Sequence, residues 1–203
     1  RGPVAVLTTP RPQLAPPRDR YVYRPNTAEV PEGAAANVRN RSYKIAAEVT
    51  VDTGDSQSVL FSHGGRFGGH ALFVKNSRLH YVYNWLGEVE QEIVSDIEIP
   101  TGDVILGVSF DKEGNDEQHS ATGTATLFMN GQQVGQRAIK TQPGKFMLAG
   151  EGLNVGKDPG GPVSTTAYQA PFAFTGGSIR EVIVDVSGQA YVDLELEALG
   201  MMS

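Results

Sequence analysis

From Tyr43 the chain alternates apolar and polar residues with the two-residue period of a strand: Tyr43, Ile45, Ala47, Val49 and Val51 share one side of "SYKIAAEVTV". The same short-strand rhythm returns at 58–62, 69–75, 78–85, 88–94, 103–110, 122–129, 132–139, 145–149, 152–155 and 176–186. Asn130-Gly131, between "TATLFM" and "QQVGQR", is the strongest hairpin signal, since both residues tolerate a left-handed backbone. Asn76-Ser77 predicts a second two-residue turn, which sets Val74 opposite Leu79, Leu72 opposite Tyr81 and His70 opposite Tyr83. One side of that ribbon is then His70, Leu72, Val74, Leu79, Tyr81 and Tyr83, and the other is Ala71, Phe73, Lys75, Arg78, His80 and Val82. The first side is the more apolar and is placed inward.

Many short strands, 24 glycines and almost no helical periodicity describe an all-β chain, an antiparallel two-sheet β-sandwich. The ends differ. Residues 1–41 hold seven prolines, Pro3, Pro10, Pro12, Pro16, Pro17, Pro25 and Pro31, and no periodic apolar pattern. They read as a proline-rich extended arm with one short strand at Tyr21–Tyr23, expected to lie along a preceding domain. The tail 187–203 includes "AYVDLELEALGMM", where Tyr191, Leu194, Ala198 and Met201 fall near one face of a short helix. The sandwich itself is assigned to 42–186.

Composition narrows the function classes. A net charge of −6, a pI near 5.2 and no basic cluster argue against nucleic acid as a partner. The absence of cysteine excludes disulfides, thiolate metal sites and cysteine nucleophiles. No apolar run approaches the ~20 residues of a membrane helix, and the N-terminus lacks a signal-peptide core. A first residue Arg1, with no methionine, leads to the expectation of a piece cut from a longer protein.

Gly64-Gly65-Arg66-Phe67-Gly68-Gly69 has the look of a phosphate grip, but a phosphate loop must open into a helix, and here a strand follows. A tight connection between strands is the reading adopted. The histidines are His63, His70, His80 and His119; His70 and His80 fall on opposite faces of their ribbon and cannot share a metal, so all four are read as surface or cleft residues. "DKEGNDE" (111–117) lacks the glycine and glutamate positions of a calcium-binding loop and reads as a solvated acidic loop. Glu88, Glu90 and Glu92 alternate along one strand, which would suit a glycosidase whose hydrolysis Glu90→Gln abolishes; a charged strand edge is the preferred reading. Phe73, Tyr81, Tyr83, Trp85, Tyr168 and Phe172 are candidates for a sugar-stacking platform or for core, with Trp85 expected half exposed at its strand end.

"NVRNRSYKIAAEVTV", "GGRFGGHALFVKNSRLHYVYNWLG", "GTATLFMNGQQVG", "LNVGKDPGGPVS", "PFAFTGGSIREVIVDV" and "YVDLELEALGMM" resemble, in order, the C-terminal region of bacterial arylsulfatases, over about residues 20–203. The resemblance implies a concanavalin A-like, laminin-G-like β-sandwich that follows a sulfatase catalytic domain. That family works with a formylglycine made in a Cys/Ser-x-Pro-x-Arg motif, beside a calcium held by Asp and Asn. No proline here has Cys or Ser two positions before it, so no cofactor and no metal is expected in this chain, and no catalytic residue carries over. Two departures stand out: the loop 111–121 is acidic, and Asn76-Ser77 replaces the usual Asp-Gly.

The expected function is that of a non-catalytic C-terminal arylsulfatase domain that packs on the catalytic domain and shapes its cleft. The alternative is an independent carbohydrate-binding module. His63, Arg66, Phe67, Trp85 and Asp158 are the candidate substrate or interface contacts at one end of the sandwich, with Arg66 suited to a sulfate group.

Overall fold

The computed structural model describes residues 18–53, 57–146, 151–188 and 191. Among them lie β1 (Arg20–Tyr23), β2 (Tyr43–Val51), β3 (Ser58–Gly65), β4 (Gly68–Lys75), β5 (Arg78–Trp85), β6 (Val89–Glu98), β7 (Gly102–Asn115), β8 (Ala121–Met129), β9 (Gln132–Thr141), β10 (Leu153–Val155) and β11 (Gly177–Asp185). All ladders are antiparallel. They build two sheets, ordered β1-β11-β2-β7-β8-β9 and β10-β3-β4-β5-β6. The chain passes between the sheets after β2, β6, β9 and β10, as in a concanavalin A-like jelly roll, because each sheet hides its apolar face against the other.

The alternation places the core. Tyr43, Ile45, Ala47, Val49 and Val51 meet Leu72, Val74, Leu79, Tyr81 and Tyr83 between the sheets. His70 pairs with Tyr83, Leu72 with Tyr81 and Val74 with Leu79, around Asn76 (φ 51°) and Ser77 (φ 59°). The polar atoms of this core find one another. The Tyr43 and Tyr81 hydroxyls lie 2.6 Å apart, and His70 Nδ1 lies 2.9 Å from the Tyr81 hydroxyl. Burial raises both tyrosine pKa values and lowers that of His70, so all three stay uncharged at neutral pH.

Several expectations are corrected by what covers the sheets. The second side of the ribbon is not solvated: Ala71, Phe73 and Val82 pack with Val59, Val163 and Tyr168, because residues 157–172 fold across the five-stranded sheet. The Lys75 ammonium donates to the Ala167 carbonyl, tying that segment down. His80, stacked on Phe73, is buried on that covered side, while His63 and His70 lie on the inward side against Phe146, so these three are not on the surface or in a cleft, and His119 alone of the four is exposed. On the six-stranded sheet, Ala46, Ile105 and Ile183 pack with Tyr191, whose ring stacks on Phe128 at 4.1 Å. Tyr191 is helical; the rest of the predicted tail helix lies outside the described residues.

Residues 18–41, expected as an arm against another domain, lie on this sandwich. β1 extends the sheet beyond β11, Val30 bridges Leu153, and Ala35, Ala36 and Val38 are buried. The Tyr23 hydroxyl accepts the Ala36 amide at 2.9 Å. Small side chains buried by an irregular coil leave no period to read. The acidic stretch is mostly strand, since β7 runs to Asn115 before a turn at Asp116. Lys145 and Phe146 are not in a strand, and residues 147–150 of that predicted element lie outside the described set.

A candidate binding surface at the hairpin end

The β3–β4 turn projects Arg66 and Phe67 from one end of the sandwich. Gly64 (φ +89°) and Gly68 (φ +142°) take backbone that side chains rarely adopt, and a Cβ at Gly64 would lie 2.7 Å from that of Phe146. The glycines serve close packing: the Gln142 side chain fills the space at Gly68, and Phe146 enters the space at Gly64 and packs 4.6 Å from the His63 ring and 5.1 Å from His70. Arg66 runs along Gly161, where a Cβ would lie 3.2 Å from its Cδ, and its guanidinium sits 4.6 Å from the Phe67 ring centroid. Phe67 remains 58% exposed.

Asn84 sets this tip in place. Its Nδ2 donates to the Arg66 carbonyl at 3.0 Å and the Val163 carbonyl at 2.8 Å, and its Oδ1 accepts the Gly87 amide at 2.9 Å. One buried side chain therefore ties the β3–β4 turn, the β5–β6 turn and the loop after Asp158. The two turns touch directly, since a Cβ at Gly87 would meet Phe67 Cα at 3.1 Å. Leu86, beside it, has φ +55° and is exposed, as is Val89. Phe67, Leu86 and Val89 thus give the end an apolar surface with Arg66 upon it.

A second cation lies at the same end. Lys140 Nζ is 3.6 Å from the Trp85 ring centroid. Trp85, expected half exposed, is 6% exposed, and its indole donates to Ser120 Oγ at 3.0 Å. The Lys140 stem and the β7–β8 turn close over the ring that sequence position left open.

The neighbouring acids are held by amides and hydroxyls. Glu90 accepts from Ser164 Oγ at 2.7 Å, Thr165 N at 2.7 Å, Thr165 Oγ1 at 3.0 Å and Thr166 Oγ1 at 2.7 Å. Burial raises its pKa, but these donors outweigh burial and hold it below the ordinary glutamate value. Asp158, 1% exposed, accepts the Tyr168 hydroxyl at 2.5 Å and the Val163 amide at 2.8 Å. Burial nevertheless pushes it up to about 6. Glu151 Oε1 accepts the Gly161 amide at 3.1 Å.

All five sequence candidates lie near this end, but only Arg66 and Phe67 reach solvent; His63, Trp85 and Asp158 are buried supports. Glu88, Glu90 and Glu92 face no common cleft: Glu88 is exposed in the turn, Glu90 anchors residues 164–166, and Glu92 Oε1 lies 2.6 Å from His80 Nδ1. Among the described residues, no group of three or more His, Cys, Asp or Glu is gathered as a metal site requires. Asn84 and Lys140 were not among the sequence candidates. A strand-end Asn three residues before Gly87 was the available signal for the first, and nothing local marked the second.

No family model and no curated protein matches the chain. Solved structures do share its fold. The CBM40 of Ruminococcus gnavus IT-sialidase matches at 16% identity with TM-score 0.56, over 88% of this chain and 97% of that one. The same CBM40 bound to alpha2,3 sialyllactose matches at 16% identity with TM-score 0.52, over 79% and 83%. A leech intramolecular trans-sialidase matches at 13% identity with TM-score 0.51, over 77% of this chain and 23% of that one. At these identities the likeness shows the fold: a two-sheet β-sandwich of the kind that carbohydrate-binding modules use.

Proposed function

We propose that this chain is a non-catalytic carbohydrate-binding module whose contact surface is the Arg66–Phe67 tip with Leu86 and Val89. The observation that carries the reading is an exposed aromatic ring paired with a guanidinium on a rigid turn, held by Asn84 against two other segments. Sugars offer an apolar ring face for stacking and a polar rim for hydrogen bonds, and such a pair serves both. The fold shared with a sialyllactose-bound module supports it. A screen of immobilised glycans with the full chain should give saturable binding that Phe67→Ala removes. No saturable binding to any glycan overturns the proposal.

A second reading keeps the sandwich as the C-terminal domain of an arylsulfatase, packing on the catalytic domain and shaping its cleft. The resemblance favours it, because one of its segments, "GGRFGGHALFVKNSRLHYVYNWLG", spans the tip and both adjoining turns. On this reading the formylglycine and calcium belong to the catalytic domain, and the partner is that domain with its sulfated substrate. A Cys/Ser-x-Pro-x-Arg motif in the reading frame before Arg1 is expected, and a frame without one sinks it.

A further inference from the structure

We infer that the tip recognises a sugar carrying one anionic group, a carboxylate or a sulfate ester, with the anion on Arg66 and the adjoining ring face on Phe67; this rests on the carbohydrate-binding reading above. The argument is one of unmatched charge. Among the described residues, neither Arg66 nor Lys140 has a carboxylate within ion-pair distance, although the protein carries a net charge of −6. Acids at this end have other donors: Glu90 three hydroxyls and an amide, Asp158 Tyr168 and Val163, and Glu151 the Gly161 amide on Oε1, its buried Oε2 having no hydrogen-bond partner among the described residues. Glu88, in the β5–β6 turn, faces solvent.

Stacking on Phe67 shields one face of the Arg66 guanidinium and stiffens it, while its N–H edges, the part that grips a carboxylate or sulfate through two parallel hydrogen bonds, meet no acceptor among the described residues. Leu86 adds the second observation. A leucine at φ +55° holds a backbone conformation that Asn or Gly adopts more easily, and its side chain is 43% exposed. The strain keeps an apolar side chain beside Phe67, which suits the apolar face of a ring rather than a free inorganic ion. One fork at the tip matches one anion.

The test is calorimetric titration of the 203-residue chain with 3′-sialyllactose, 3′-sulfated lactose, lactose and sodium sulfate. At least one anionic sugar should bind on the order of 10-fold more tightly than lactose, with the preference shrinking as salt rises. Arg66→Gln should abolish the preference and Phe67→Ala should weaken every sugar, while thermal melting shows both variants folded. The two anionic sugars tell carboxylate from sulfate. Lactose binding as tightly as both anionic sugars, or a preference that survives in Arg66→Gln, overturns this inference and leaves the carbohydrate-binding reading standing. Sodium sulfate binding as tightly as the sulfated sugar also overturns it. If no sugar binds, both readings fall.

Discussion

Asn84 offers the sharpest test of how the tip is built. Its amide is oriented without ambiguity, because two carbonyls, Arg66 and Val163, face Nδ2 and one amide, Gly87, faces Oδ1. At 2% exposure, water does not readily replace these contacts. Asn84→Ala removes three hydrogen bonds of about 1 kcal/mol net each, so a loss of about 3 kcal/mol is expected. In a chain of 203 residues, that corresponds to a melting temperature lowered by roughly 6–12 °C. Asn84→Asp is the informative partner. It keeps the acceptor for Gly87 but sets a carboxylate against two carbonyl oxygens, so at neutral pH it should cost more than alanine. Its deficit should shrink as the pH falls and the new carboxyl takes a proton, which alanine cannot do. Urea denaturation of the three proteins at pH 7 and pH 4 provides the readout, with hydrogen exchange at Gly87 as a local probe. A loss under about 0.5 kcal/mol for alanine, or an aspartate variant as stable as the parent, would refute the clamp.

Glu90→Ala should release residues 164–166 and cost on the order of 2–3 kcal/mol at neutral pH, read by urea denaturation, with Glu90→Gln intermediate. Because its folded pKa is lowered, its contribution is present above the unfolded value near 4.5 and fades as the pH falls; a variant equally costly at pH 3 and pH 7 contradicts this. Asp158 has the opposite sign: raised to about 6 from 3.8, it contributes stability below 3.8 that is lost as pH rises through 6. Asp158→Asn should therefore gain on the parent as pH rises from about 4 through 6 and level off above, in thermal melts, and a constant difference across that range would refute the raised value. Gly64→Ala should cost on the order of 2–4 kcal/mol from backbone strain plus collision with Phe146, and a melting temperature within 2 °C (roughly 0.5–1 kcal/mol) of the parent would show that the turn yields.

Alternation determined most of the strands and the inward side of the central ribbon, and the Asn76-Ser77 turn its register, because a two-residue period leaves a strand one way to hide its apolar side and that turn admits one pairing. The alternation after the glycines also showed that they open into a strand rather than a helix, and they connect β3 to β4. What a strand's second face meets is a different matter. Ala71, Phe73 and Val82 are hidden by a segment about 90 residues later in the chain, and Ala46, Ile105 and Ile183 pack with Tyr191, so nothing in their own neighbourhood announces burial. The candidate site divides in the same way. Arg66 and Phe67 were legible as chemistry placed at a turn, whereas the burial of His63, Trp85 and Asp158 and the clamp at Asn84 arise only where separate segments converge. Local pattern records the period of one strand, and only long-range packing decides which side chains at its end still meet water.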